Sequence, residues 1–210
     1  MPHLPYRASL KGLFFVVLGL LVSNTWAHTG GLSDVHAHTS ALASLMAGIA
    51  HPLTGIDHLT AMMAVGVWGA LTSRPGSVDW LKAPAVFACM LMVGALAGLL
   101  GVALPSVEPM LAVSVLVMGL LVFARAQIGT TFTAILVGTF ALFHGVAHGA
   151  ELANMPYSVL ILAGVFGATV LLHVLGLVVG WNLRASSVWL TRAAGAAVVG
   201  LGAQLLLALA

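Results

Sequence analysis

The stretch His51-Pro-Leu-Thr-Gly-Ile-Asp57-His58 places two imidazoles, a carboxylate, a proline and a glycine inside an otherwise apolar sequence. Proline removes a backbone donor and glycine loosens the chain, so we predict that a helix breaks between His51 and Asp57. The preceding residues, 39–50, are short of the roughly 20 apolar residues that cross a bilayer. We therefore expect a half helix or re-entrant segment before the break and the first membrane span after it.

The composition indicates a protein that lies in a membrane. Of its 210 residues 61% are hydrophobic and 6% are charged, with a mean hydropathy of +1.13, whereas soluble domains carry roughly 25% charged residues. A soluble core cannot bury so much apolar surface. We expect an all-α, polytopic membrane protein with one domain, residues 28–210. The few basic residues form no patch, so no nucleic acid is expected as a partner.

A second polar stretch, Phe143-His144-Gly-Val-Ala-His148-Gly-Ala-Glu151, lies about ninety residues further along the chain. On a helix, His144 and His148 are four positions apart and Glu151 follows three later, so all three project from one face. Glu151 would lie near a helix C-terminus, where the macrodipole disfavours an anion. That placement favours a cation as its partner, with a simple helix cap as the alternative.

Residues 1–27 have the charged, apolar and small-residue regions of a secretory signal peptide. We predict cleavage after Ala27, with an uncleaved anchor helix as the alternative. The mature chain then begins at His28, and His36 and His38 follow closely. A short histidine-rich tract suits metal capture, although a solvated tail with incidental histidines fits the composition equally well.

Six apolar segments are long enough to cross the membrane. The predicted spans are residues 56–73, 83–103, 109–125, 129–150, 157–181 and 189–209. If the mature N-terminus lies outside, all basic loop residues fall on the cytoplasmic side, as basic residues in short loops prefer. These residues are Arg74, Lys82, Arg125, Arg184 and Arg192. Both polar stretches then lie at the periplasmic face of a bacterial inner membrane.

Four imidazoles and two carboxylates are therefore predicted at one membrane depth. They are His51, Asp57, His58, His144, His148 and Glu151. A lone buried histidine is more often a hydrogen-bonded core residue than a ligand, but six such groups at matching depth favour a shared cation site. Nitrogen and oxygen ligands without a thiolate favour nickel or cobalt over cuprous copper, whereas affinity order alone would select copper. His173, isolated in the fifth span, is interpreted as structural, with a ligand on the transit path as the alternative.

The sequence lacks the motifs of several enzyme classes. It has no His-Glu-x-x-His helix, because residues 145–147 read Gly-Val-Ala, no Gly-x-Ser-x-Gly elbow and no phosphate-binding loop with lysine. Without a nucleotide site, transport must be driven by a gradient or by the membrane potential. These observations favour a secondary permease over an enzyme.

Both polar stretches resemble the signatures of the HupE/UreJ family of hydrogenase and urease accessory proteins. The first is His51-Pro-x-x-Gly-x-Asp57-His58 and the second is Phe143-His144-Gly-x-Ala-His148-Gly-x-Glu151. The signal peptide and the six predicted spans also resemble the family. The resemblance implies a permease for nickel, or cobalt, that serves metalloenzyme maturation, with the His, Asp and Glu of both motifs essential. The chain departs from the family at His28-Thr-Gly-Gly, where a His-Pro-Gly opening is usual.

We therefore expect an inner-membrane importer of nickel or cobalt, with the ion as cargo and no tightly bound cofactor. The six residues of the two motifs would hold the ion, and His28, His36 and His38 would concentrate it outside. A homo-oligomer and metallochaperones or maturation proteins are further partners that the sequence leaves open. Two rival interpretations are a membrane metallochaperone or sensor that does not transport, and a di-haem electron carrier with paired axial histidines.

Overall fold

A computed structural model describes residues 40–153 and 155–210. This part of the chain is helical and has no strands, which confirms the predicted fold class. A short 3-10 helix, Asp79–Leu81, precedes the third α-helix. The α-helices of the described residues are α1 (Ala41–Thr54), α2 (Ile56–Thr72), α3 (Lys82–Leu99), α4 (Val107–Ala124), α5 (Thr130–Leu152), α6 (Ser158–Arg184) and α7 (Val188–Leu207).

The predicted signal peptide, residues 1–27, lies outside the described residues, as do His28, His36 and His38. Cleavage after Ala27 and metal capture by these histidines therefore stay predictions.

Five helices of the described chain are long and apolar enough to cross a membrane. They are Asp79–Leu99, which includes the 3-10 turn, and α4, α5, α6 and α7. The predicted first span, α2, has 17 residues and is therefore about 25 Å long, slightly less than the roughly 30 Å hydrocarbon core. Most of its side chains are buried against the other helices. Because it is covered by protein, α2 is a short helix in the interior of the bundle.

The predicted break before α2 is present and falls at Gly55. The hydroxyl of Ser40 caps the start of α1 by accepting from the Ala43 N–H. Pro52 is accommodated inside the last turn of α1, and the Gly55 N–H still donates to the His51 carbonyl. Gly55 is extended, with φ −77° and ψ 111°, and is the boundary of both helices. At 14 residues, α1 is too short to cross a bilayer alone.

Glycines allow the helices to pack in close pairs. Between α3 and α5, a Cβ on Gly94 would lie 3.1 Å from the Gly145 Cα, and one on Gly98 would lie 3.0 Å from the Gly149 carbonyl carbon. The backbones therefore touch along this seam, as small residues permit in lipid. These four glycines therefore have a packing role.

Helix α6 forms two further glycine contacts. A Cβ on Gly66 of α2 would lie 3.0 Å from the Cα of Gly176, and Gly164 lies directly against the Leu45 carbonyl of α1. Gly167, by contrast, faces open space, because no neighbouring atom lies within 4 Å of a Cβ placed there. The bundle thus contains an α1–α2–α6 group and an α3–α5 pair.

Basic loop residues meet at one end of the bundle. The Arg184 guanidinium donates to the Ser73 carbonyl at 2.7 Å, joining the end of α6 to the end of α2. Asp79 pairs with Lys82 at 2.6 Å and with Arg74 at 3.3 Å. These contacts define the basic end of the molecule.

The turn that carries Arg125 also lies at the basic end. The indole N–H of Trp68, in the last turns of α2, donates to the Ala126 carbonyl at 2.8 Å. His58, by contrast, lies in the first turn of α2, about 15 Å from Trp68 along the helix at 1.5 Å per residue. The histidine motifs and the basic residues are therefore at opposite ends, as the predicted topology requires.

The α3–α5 seam is tested by replacing Gly94 with Val. Its Cβ would meet the Leu142 carbonyl and the Gly145 Cα, which are backbone atoms that cannot move aside. We expect a loss of about 1–3 kcal/mol or more, seen as a lower thermal midpoint in detergent. Gly167→Val, where the space is open, is the matched control. Equal midpoints for the two variants would contradict a close seam.

Candidate metal site

Gly55 brings the histidines of the first motif together. The His51 and His58 rings pack edge to face with their centroids 5.4 Å apart. A Cβ on Gly55 would lie 3.1 Å from Nδ1 of His58 and 3.2 Å from Oδ1 of Asp57. The absent side chain therefore leaves the space into which the carboxylate and the imidazole fold.

Helix α5 supplies the histidines of the second motif. The His148 ring lies 4.9 Å from that of His51 and 4.7 Å from that of His58, and the His144 ring lies 5.4 Å from that of His58. His144 and His148 are 0% and 1% exposed. Because they are four residues apart, they share the face of α5 that points into the bundle. The four imidazoles of the two motifs thus form one cluster, which we call the histidine cluster.

Three members of the cluster form a potential ligand set. One ring nitrogen each from His51, His58 and His148 can be chosen so that all lie within 4.8 Å of one another. An ion bound at about 2.0–2.1 Å from each nitrogen would hold ligands no more than about 4.2 Å apart. Small side-chain movements would therefore close the set around one ion.

Several ring nitrogens of the cluster are buried and lack a hydrogen-bond partner among the described residues. They are Nε2 of His51, His58 and His144 and both nitrogens of His148. A buried polar atom left without a partner costs about 1–3 kcal/mol. A cation would supply the missing partner for several of these atoms at once.

Two hydrogen bonds orient imidazoles of the cluster. Nδ1 of His58 donates to Oδ1 of Asp57 at 2.8 Å, and Nδ1 of His144 donates to the Phe140 carbonyl at 2.9 Å. Each bond assigns the proton to Nδ1 and leaves the Nε2 lone pair free for a cation. A hydrogen bond from the other ring nitrogen to a carboxylate or a carbonyl is usual for a metal-binding histidine. Asp57 therefore acts behind His58 and is not one of the three closely spaced groups.

Glu151 occupies a different position from the histidines of its motif. It is exposed in the last turn of α5, whereas His144 and His148 are buried. Its negative charge nevertheless acts on His58. The predicted strip on α5 thus has two buried imidazoles and one carboxylate at its outer end. Metal binding by any of the six predicted residues stays a prediction.

Sequence reasoning did not identify Phe87. This side chain of α3 packs against His144, with ring centroids 5.6 Å apart, and forms part of the cluster's floor. Its apolar surroundings carry no signal that it touches a polar site.

The arrangement also bears on the di-haem interpretation. The imidazole rings contact one another, with centroid separations of 4.7–5.4 Å. A porphyrin held between axial histidines needs a gap between their rings. The cluster has no such gap, so its geometry suits a bare ion better than a haem.

Residues 15–205 match the family model described as HupE / UreJ protein. The chain belongs to the HupE/UreJ family. It is 39% identical over 187 residues to Protein HupE of Rhizobium leguminosarum bv. viciae, which covers 88% of this chain and 96% of that protein. No solved structure is significantly similar. HupE/UreJ proteins are hydrogenase and urease accessory transporters for nickel or cobalt, which agrees with an apolar helical bundle built around imidazoles.

The orienting role of Asp57 is tested by Asp57→Asn. The amide keeps the shape of the side chain but removes the charge that holds His58 in its tautomer. We expect the affinity of the purified protein for Ni²⁺ to fall about 10–100-fold with unchanged stoichiometry, as measured by titration calorimetry. Unchanged affinity would show that the 2.8 Å contact has no part in binding.

Proposed function

We propose that this HupE/UreJ protein is a secondary permease that carries Ni²⁺, with Co²⁺ as the other candidate, from the periplasm to the cytoplasm. The observation that carries this proposal is the convergence of His51, His58 and His148, from three different helices, within 4.8 Å. Borderline divalent cations are the ions that imidazole groups bind best. The family supports a transported ion, so the metal is the cargo of this protein and not a resident cofactor.

The charges around the cluster support a divalent cation. Asp57 contacts His58 directly, and Glu151 acts on the same imidazole from the end of α5. Two carboxylates near neutral imidazoles offset the two positive charges of the ion, which lowers the cost of holding it in a medium of low dielectric. All six predicted residues thus have a role. The four imidazoles bind the ion, Asp57 orients His58, and the two carboxylates offset the positive charge of the ion.

The distribution of basic residues supports an orientation. Arg74, Lys82 and Arg184 contact the α2 end and its loop, and basic residues in short loops prefer the cytoplasm. The histidine cluster then faces the periplasm of a bacterial inner membrane. His28, His36 and His38 would concentrate ions there, and cytoplasmic chaperones or maturation proteins for hydrogenase or urease would receive them.

Removal of an imidazole from the cluster tests the proposed transport. We expect His58→Ala and His148→Ala to reduce cellular uptake of radioactive nickel at least tenfold at matched expression, because each removes one of three convergent ligands. Thr54→Ala is the matched control, since its hydroxyl bonds only to carbonyls of its own helix beside His51. Uptake by either histidine variant at the level of the control would remove that residue from the mechanism.

A vesicle experiment separates a permease from a membrane metallochaperone or sensor. Purified protein in lipid vesicles should accumulate nickel well beyond one ion per protein when a gradient or potential is applied, because each turnover frees the site. A pure binder saturates at its number of sites. Competition by cobalt, zinc, copper and manganese in the same assay would identify the preferred ion. Saturation at about one ion per protein would refute the permease proposal.

A further inference from the structure

His173 is a buried imidazole that the histidine cluster does not include. It lies in the middle of α6, is 3% exposed, and its Nε2 has no hydrogen-bond partner among the described residues. Its ring packs edge to face on Phe87, with centroids 5.2 Å apart. Burial of an unsatisfied imidazole inside an apolar bundle is costly. A role in packing alone therefore does not explain why position 173 carries a histidine.

The position of His173 lies between the histidine cluster and the basic end. Its backbone carbonyl lies directly against Gly66 of α2, which is eight residues beyond His58 and therefore about 12 Å deeper at 1.5 Å per residue. Helices α2 and α6 run in the same direction, since the Arg184 guanidinium at the end of α6 contacts Ser73 at the end of α2. An ion that leaves the cluster towards the cytoplasm would pass this level.

One aromatic ring contacts both the cluster and His173. The centroid of Phe87 lies 5.6 Å from that of His144 and 5.2 Å from that of His173. His144 is the member of the cluster outside the set of three convergent nitrogens, and its Nε2 also has no hydrogen-bond partner in the described chain. Phe87 therefore links His144 and His173 by ring contacts.

We propose that Nε2 of His173 is an inner ligand for the transported divalent cation, which reaches it from the His144 side of the cluster when the Phe87 ring moves aside. The inference rests on the proposed function, because it assigns a second position to the same ion. An ion that crosses an apolar region needs successive ligands that bind it and release it. His173 supplies such a ligand beside Phe87, which belongs to a hydrophobic core cluster of the described bundle.

Two substitutions separate ligation from packing. His173→Phe keeps an aromatic side chain against Phe87 but removes the nitrogen, and His173→Cys removes the ring but keeps a metal ligand. Cys89, which is exposed on α3, is first replaced by Ala so that position 173 carries the only thiol of the sequence. Thr169→Val is the matched control, because Thr169 is equally buried one turn earlier and its hydroxyl bonds only to the Val165 carbonyl.

We expect His173→Phe to reduce nickel uptake into vesicles about tenfold or more, while equilibrium binding of Ni²⁺ at the histidine cluster and the thermal midpoint stay near those of the control. In the Cys89→Ala background, His173→Cys should show a thiolate-to-cobalt charge-transfer band when Co²⁺ is added. Uptake by His173→Phe equal to that of Thr169→Val would overturn the inner ligand. A missing band in a folded His173→Cys protein would overturn it as well.

The design also separates this inference from the proposed function. If the parent protein accumulates nickel and His173→Phe does so equally, the permease stands and the inner ligand fails. If the parent itself saturates at one ion per protein, the permease proposal fails first, and with it the premise of a second position. Accumulation by the parent protein distinguishes the two cases, because it is measured without any change at position 173.

Discussion

Buried imidazole nitrogens without hydrogen-bond partners are the most costly feature of the described bundle. Most buried polar atoms in proteins are paired, and an unpaired one costs about 1–3 kcal/mol. Here such nitrogens from His51, His58, His144 and His148 lie together in the described bundle. The helices tolerate this because tight backbone packing elsewhere stabilises them, and the unsatisfied nitrogens leave the cluster ready for a cation.

The fold class could be predicted because the lipid bilayer sets the composition and the length of each span, whatever the detailed packing of the helices. A chain with 6% charged residues has few alternatives to a helical bundle in lipid. The break before α2 was also predictable, because Pro52 and Gly55 together indicated an interruption between His51 and Asp57. The boundary falls inside that interval, at Gly55, while Pro52 is accommodated within the last turn of α1.

The residues of the candidate site could be predicted more readily than the contacts between them. Two motifs with imidazoles indicated a shared centre, because the positive residues set both at one end of the bundle. The spacing within a motif could not reveal that Asp57 accepts a hydrogen bond from His58 or that the Phe87 ring contacts His144. Such contacts depend on how α3 and α6 pack against α5 and α2, and apolar helices carry no periodic signal that specifies their partners.

The histidine cluster lies between two closely packed groups of helices. His51 and His58 belong to the α1–α2–α6 group, whereas His148 belongs to the α3–α5 pair. An ion bound by all three imidazoles would therefore connect the two groups of helices. A displacement of one group relative to the other would then move one imidazole away from the other two, so that release of the ion would accompany the displacement.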